Sequence, residues 1–328
     1  MKKAVTIILC LALLVGLALG VLYFHKQTVN EQIENAGSSE NAPQKVTALE
    51  YEGTKYPLKK HIQTVLLIGT DSEGNEKSVP EGFTAFYNFH QADFIMLLVL
   101  DKDAQSAEII QINRDTMTDV PWLDVMGEYG GTNFEQLCLS FNSGSGGLDS
   151  CQNTVDAVSS LLFHAPIQGF IQIPMSAIPV INDLVGGVTV AITDDLTPVD
   201  PAFTQGATVL LSGSQAEKFV RARESLENDT NLARMRRQRD YLEGFRESAR
   251  EAMNGNPEFV INLLEELNGY MQTNLTGQQL SGLLEQLETY QISPIRTAEG
   301  ELHSGTEYYE FYVDEASLWE IVKTAYCQ

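Results

Sequence analysis

Three short motifs in this sequence, each abutting an apolar run, carry residue types that can do chemistry. Gly69-Thr70-Asp71 closes the run Thr64–Gly69, Ala92-Asp93 opens the run Phe94–Leu100, and Asn113-Arg114-Asp115-Thr116 follows the run Ala107–Ile112. Carboxylates at strand ends lie in the crevice where open α/β sheets bind ligands. Two carboxylates can hold Mg²⁺, and an arginine fork grips phosphate oxygens bidentately. Taken singly, each acid reads equally as a turn, a cap or a surface salt bridge. Taken together they put two acids and an Arg-Asp pair on what three neighbouring strands would make one edge. A fourth motif supplies positive charge: Arg221 and Arg223, then Arg234, Arg236, Arg237 and Arg239. A solvated amphipathic helix and a nucleic-acid contact are the competing readings of this cluster. Against both, Arg221 and Arg223 fall ahead of the helix, at its mouth.

The elements that must position these residues follow from hydrophobic pattern. Runs that are apolar on both faces are central strands covered by helices on each side, which predicts an α/β sandwich. Helices are predicted over Asn153–Leu162, Met175–Leu184, Gln215–Ala222, Leu232–Met253 and Pro257–Met271, with further strands over Val188–Ile192 and Tyr308–Val313. A small hairpin is predicted over Val46–Pro57, turning at Glu52-Gly53-Thr54. Leu97, Val99, Ile109, Leu161, Ile178 and Ile181 are core candidates. Nothing marks a second domain, so residues 46–328 read as one unit.

Composition restricts the partners. A formal net charge of -23 over 328 residues disfavours generic binding to nucleic acid, whose affinity rests on Lys and Arg. Phosphate chemistry must therefore use a local basic cluster, such as the one above. Met1-Lys2-Lys3 precedes an unbroken apolar or small-residue run, Ala4–Phe24. At about 1.5 Å per residue this run crosses a hydrocarbon core of roughly 30 Å. The leading lysines favour a cytoplasmic N-terminus, so that residues 1–25 form a single transmembrane anchor, 26–45 a polar linker, and the rest lies outside the cell membrane. A cleaved signal peptide ending near Ala18-Leu19-Gly20 is the alternative, with the same compartment. Cys10 follows bulky Leu9 and is no lipoprotein cysteine. Cys138 and Cys151 flank a Gly/Ser-rich loop; a disulfide between them, worth about 3 kcal/mol, and two unpaired thiols are both open. No zinc-site spacing, P-loop or Gly-x-Ser-x-Gly motif occurs.

Leu66–Ser72, Ala92–Val99, Ile112–Thr116, Asp183–Val188, Arg221-Ala222-Arg223 and Arg234–Gln238 together resemble the LytR-CpsA-Psr family, in that family's order. The resemblance implies an α/β/α sandwich around a mixed central sheet, a hydrophobic tunnel for a polyprenyl chain, and Mg²⁺ at the pyrophosphate. It implies transfer of a phosphate-linked glycopolymer from a polyprenyl pyrophosphate carrier to peptidoglycan; a non-catalytic lipid- or glycan-binding envelope protein on the same fold is the alternative. Position by position, Asp71 and Asp93 match the family's acidic pair and metal site, and Arg114 its phosphate-binding arginine, which Asp115 positions. Arg221, Arg223, Arg234 and Gln238 match its later pyrophosphate-binding set. The chain departs from the pattern with Glu73, Gln91 and Thr118 where arginine is common. An aromatic segment, Ser72–Gln91 with Phe83, Phe86, Tyr87 and Phe89, reads as a lid over lipid or glycan.

Overall fold

Three long apolar strands build the frame, and the remaining elements cover it. In this computed structural model, which describes residues 46–71, 87–124, 126–222, 231–255, 259, 266, 270–305 and 308–328, a short hairpin of β1 (Ala48–Tyr51) and β2 (Thr54–Pro57) precedes β3 (Ile62–Thr70), β4 (Ala92–Asp101) and β5 (Ser106–Ile112). A second hairpin, β6 (Met117–Leu123) and β7 (Tyr129–Gln136), leads through a 3₁₀ turn at Leu137–Asn142 into α1 (Leu148–Leu161). Next come β8 (Gly169–Pro174), α2 (Ile178–Leu184), β9 (Val188–Ala191), β10 (Thr208–Leu211), α3 (Gly213–Arg221) and α4 (Asn231–Gly255). The chain ends with β11 (Gln272–Thr273), α5 (Gly277–Thr289), β12 (Gln291–Ile292), the hairpin β13 (Gly300–Ser304) and β14 (Tyr309–Val313), and α6 (Glu315–Tyr326). The apolar run at 4–24, the linker, Cys10, Glu73, Phe83, Phe86, Arg223 and most of the helix expected over Pro257–Met271 lie outside the described residues. No helix among the described residues is long and apolar enough to cross a membrane.

Six strands form a mixed sheet in the order β11-β8-β3-β4-β5-β12. β3–β4 and β4–β5 are antiparallel, while β3–β8 and β5–β12 are parallel. Side chains alternate between faces along a strand, and here both faces are covered. Leu66, Ile68, Leu97, Val99 and Ile110 pack beneath α1 and α6 (Val158, Trp319, Val322). Val65, Leu67, Met96, Leu98 and Ile109 pack on the opposite side beneath α5 (Leu280, Leu283, Leu287). That is the expected α/β/α sandwich. A third apolar cluster joins α2, α3 and α4 to the β9–β10 hairpin through Ile181, Phe219, Tyr241 and Phe245.

Local signals explain where the covering helices begin. Ser212 and Gln215 form a capping box at the start of α3, and Thr276 and Gln279 form another at α5. The Asp314 carboxylate accepts from the Ser317 N–H at 2.7 Å to cap α6. The strands β8, β10 and β13, the helices α5 and α6 and the hairpin β6–β7 are additions to the sequence-based expectations.

Candidate active site

Strand register assembles the charged cluster. Ile95 on β4 faces Ile112 on β5, so two positions further along the antiparallel pair Asp93 comes opposite Arg114. Arg114 is buried and uses its whole guanidinium. Its Nη1 donates to Asp93 Oδ1, Nε donates to Asp115 Oδ1 at 3.1 Å, and Nη2 donates to Gln91 Oε1 at 2.6 Å. Asp115 is fixed in turn, its N–H donating to Asn113 Oδ1 at 3.0 Å.

A β-bulge re-aims Asp93. On the β3 side the pairing runs Gly69 to Phe94 and then Thr70 to Ala92, leaving Asp93 as the extra residue. Gly69 is required there, because a Cβ on it would stand 2.9 Å from Phe94 Cβ. Beyond the bulge, the Asp71 N–H donates to Gln91 O at 3.3 Å and the Gln91 N–H donates to Asp71 Oδ1 at 2.7 Å. His90 Nδ1 lies 3.6 Å from the same Asp71 oxygen. Asp71 and Asp93 therefore occupy diagonal positions across one strand pair, roughly 7–8 Å apart at Cα.

α4 completes the cluster from far along the chain. Arg234, 2% exposed, approaches Asp93 through Nη1, 3.4 Å from Oδ1, and through Nη2, which donates to the Asp93 carbonyl at 3.4 Å. Two guanidiniums thus meet at one carboxylate, and Asp93 with Asp115 balances their charge. One turn on, Gln238 shares a helix face with Arg234. Gln111 Nε2 donates to Gln238 Oε1 at 3.5 Å, while Gln238 Nε2 is buried with no hydrogen-bond partner. Gln238 also lines an apolar cavity of about 120 Å³ whose walls include Phe94, Ile171, Ile173, Ile181, Tyr241 and Phe245. The helix face that begins at a buried charge cluster therefore continues into an apolar hole.

The remaining basic residues divide differently. Arg236 Nη2 donates to both Asp194 oxygens at 2.8 and 2.6 Å, and buried Arg237 donates to the Ala222 carbonyl with its Nη1 3.5 Å from Asp194. Arg239 Nη1 donates to Gln111 Oε1 at 2.7 Å. Arg221, grouped with the phosphate set by sequence, is the last residue of α3; it is exposed and pairs with Glu217 at 2.8 Å rather than with the Asp93 cluster. Asp71, Asp93, Arg114, Asp115, Arg234 and Gln238 are brought together; Arg221 stands apart, and Arg223 lies outside the described residues.

A model of the LytR_cpsA_psr family matches residues 21–326. The chain belongs to the LytR_cpsA_psr family. No curated relative matches it by sequence. Among solved structures, the Lin1025 protein of Listeria innocua is 24% identical with a TM-score of 0.53, over 81% of this chain and 97% of that one. The gbs0355 protein of Streptococcus agalactiae is 18% identical with a TM-score of 0.62, over 80% and 87%. The LytR-CPS2A-psr family protein YwtF (TagT) of B. subtilis, with bound octaprenyl pyrophosphate lipid, is 19% identical with a TM-score of 0.55, over 81% and 90%. At these identities the likeness is one of fold.

Within this LytR_cpsA_psr domain the departures acquire physical explanations. Gln91 stands where the resemblance leads to the expectation of an arginine, and its side-chain oxygen receives Arg114; an arginine there would instead set a like charge against that guanidinium. Thr118 is buried on β6, where an arginine would need a buried partner. Gln91 and His90 were not among the expected site residues. The signal for Gln91 was its place just ahead of β4, two residues before Asp93.

The disulfide open to Cys138 and Cys151 is not formed: both are buried thiols. Cys138 sits where its N–H donates to the Arg114 carbonyl at 2.9 Å, and Cys151 lies in the first turns of α1 with its thiol pKa pushed well up by burial. Neither thiol in the native protein should react with maleimide at neutral pH, and both should react on unfolding without reductant. Mass spectrometry of the labelled peptides checks this, and a Cys138–Cys151 cross-linked peptide would contradict it.

Proposed function

We propose that this protein transfers a phosphate-linked glycopolymer from a polyprenyl pyrophosphate carrier to peptidoglycan, from outside the cell membrane and anchored by the apolar run at 4–24. The observation that carries this reading is the continuity along α4 from Arg234, at the buried charge cluster, through Gln238 to the apolar cavity at Tyr241 and Phe245. A ligand with an anionic head and an aliphatic tail matches that sequence of surfaces, and the TagT relative solved with octaprenyl pyrophosphate lipid supports it.

In the proposed reaction the acceptor hydroxyl oxygen attacks the glycan-proximal phosphorus, the bond to the bridging oxygen breaks, and polyprenyl phosphate leaves with the electron pair. Arg114 and Arg234 hold the phosphoryl oxygens and stabilise charge that builds on them, which is the larger part of catalysis in phosphoryl transfer. Their partners Asp93 and Asp115 fix the guanidiniums beforehand. Asp71 is the better placed carboxylate for the acceptor's proton: its side chain is 30% exposed, one of its oxygens meets the Gln91 N–H and His90, and Asp93 is occupied by two arginines.

Magnesium fits this donor set. It is ordinarily held by one or two carboxylates together with substrate phosphates and water, and Asp71 and Asp93 supply two hard oxygen ligands on adjoining strands. No group of three or more His, Cys, Asp or Glu capable of caging a metal occurs among the described residues; substrate phosphates and water would complete the coordination. When bound, the ion would neutralise pyrophosphate charge.

The test incubates the full-length chain in detergent with a labelled polyprenyl pyrophosphate glycan and Mg²⁺ and follows release of polyprenyl monophosphate. Wild type is expected to turn over. Asp71→Asn, isosteric and unable to accept the proton, is expected to lose about 10²- to 10⁴-fold in rate, with lipid affinity measured without Mg²⁺ retained. Tight binding by wild type without any turnover would replace the transferase reading with that of a lipid-binding envelope protein.

A further inference from the structure

The hairpin β6–β7 carries a second cavity, away from the arginine cluster, of about 320 Å³. Tyr87, Trp122, Asn133, Glu135 and Asn142 contribute to its walls. Their common placement follows from register. Trp122 pairs with Gly131, Val120 with Asn133 and Thr118 with Glu135, so Trp122, Asn133 and Glu135 share one face of the hairpin.

Trp122 is set up as a flat platform. Its pairing slips at this point, so that Gly130 is an extra, unpaired residue and Gly131 takes a φ of +138°. A Cβ on Gly130 would lie 2.2 Å from the indole ring, and one on Gly131 would lie 3.3 Å from Nε1. The two glycines let the indole lie down on the hairpin backbone. The rest of the ring lines the cavity and leaves the residue 37% exposed, an unusual position for tryptophan in a single chain.

The polar groups around it are arranged for hydroxyls. Asn142 is more than nine-tenths buried; its Nδ2 donates to Tyr87 Oη at 3.1 Å, and its Oδ1 has no hydrogen-bond partner. Asn133 and Glu135 add an amide and a carboxylate on the wall that carries Trp122. Asp124 is committed to the hairpin turn, accepting from the Met126 and Glu128 N–H groups at 2.8 and 3.0 Å. Two carboxylates and no Lys or Arg line the cavity among the described residues.

An aromatic plate beside neutral and acidic hydrogen-bonding groups suits a sugar ring, whose C–H face stacks on the indole and whose hydroxyls meet amides and carboxylates. The missing cations disfavour a phosphate-bearing polymer. The cavity is also tied to the charge cluster. The Leu137 N–H donates to the Thr116 carbonyl at 2.8 Å and the Cys138 N–H to the Arg114 carbonyl at 2.9 Å, so Glu135 sits three residues, roughly 10 Å of extended chain, from the Arg114 backbone.

We infer that the cavity bounded by Trp122, Asn133, Glu135 and Asn142 is a binding site for an uncharged stretch of glycan, holding the acceptor while the arginine cluster holds the donor. This role rests on the transfer reading above, whereas the binding itself does not. The test titrates the full-length protein in detergent with chitohexaose, a neutral β-1,4-linked N-acetylglucosamine oligomer, by isothermal calorimetry and by tryptophan emission. The chain has two tryptophans and Trp319 is buried, so the emission change reports Trp122.

Wild type is expected to bind, Trp122→Ala to lose at least tenfold in affinity, and Trp122→Phe to recover part of it. Asn142→Ala should weaken binding independently, and far-UV circular dichroism controls for folding of each variant. Absence of binding by wild type, equal binding by Trp122→Ala, or equally tight binding of an anionic oligogalacturonate each overturns the assignment. If wild type releases polyprenyl phosphate from the labelled donor yet ignores chitohexaose, the transferase reading stands and the cavity assignment falls. If chitohexaose binds through Trp122 and the donor is never cleaved, the outcome is reversed.

Discussion

Arg114→Ala is expected to reduce release of polyprenyl phosphate by about 10³-fold or more, the scale on which a phosphate-stabilising arginine acts. The reasoning is geometric. A single guanidinium here joins Asp93, Asp115 and Gln91, so truncation removes the charge that would meet the pyrophosphate and frees the two acids that aim it. Leaving a buried charge without its partner costs about 3–5 kcal/mol, softened here because Arg234 still approaches Asp93. The melting temperature should therefore fall with the activity. Arg114→Lys separates the two effects: an ammonium keeps the charge and cannot reach three planar partners at once, so folding should largely recover while turnover stays low. Turnover of Arg114→Ala within threefold of wild type would remove the arginine cluster from the mechanism.

The second large effect is expected from filling the apolar cavity. Ile173 lines it from β8, next to α2 and facing α4. Ile173→Trp should displace a few methylene groups of a bound tail. About four such groups at about 0.8 kcal/mol each give about 3 kcal/mol, close to a 10²-fold rise in the dissociation constant of a long-chain polyprenyl pyrophosphate. A short-chain pyrophosphate donor, which does not enter the cavity, should be affected far less. Equal loss for the two donors would mean that the substitution disturbs the fold, and no loss for the long chain would place the tail elsewhere. Binding is measured by displacement of a fluorescent lipid from the full-length protein.

The parts of this molecule that were legible beforehand are those whose burial is symmetrical. β3, β4 and β5 are apolar on both faces, so their pattern points to a covered sheet without further information. Their order and the antiparallel register then place Asp93 against Arg114, which is why the core of the site could be read from motifs at strand ends. β8 escaped notice because it is six residues long, ends at Pro174 and carries Gln172 in the middle of its apolar stretch. Yet it supplies Ile171 and Ile173 to the cavity. The β6–β7 hairpin was hidden for another reason: it contains Pro121 and a Gly-Gly pair, and Tyr129 and Phe134 are exposed, so no alternation of apolar and polar residues announces it. α6 did carry signals, an Asp314 cap and apolar residues at Leu318, Trp319 and Val322, and was recoverable. Arg221 illustrates the reverse case, standing apart from the Asp93 cluster with which the motifs group it. Proximity in sequence to a basic cluster says nothing about which face of α3 a side chain occupies, and Glu217 one turn earlier offers it a partner in solvent.

The extra residue at Asp93 makes the proposed chemistry depend on chain length as much as on residue identity. Deleting Ala92 would let the strand close up, keep every hydrophobic position from Asp93 onward in place, and move Gln91 one place along, turning its side chain away from Arg114. A homologous sequence could then preserve the whole apolar signature of the sheet and be silent, so an alignment that tolerates a gap at this point would be blind to the loss.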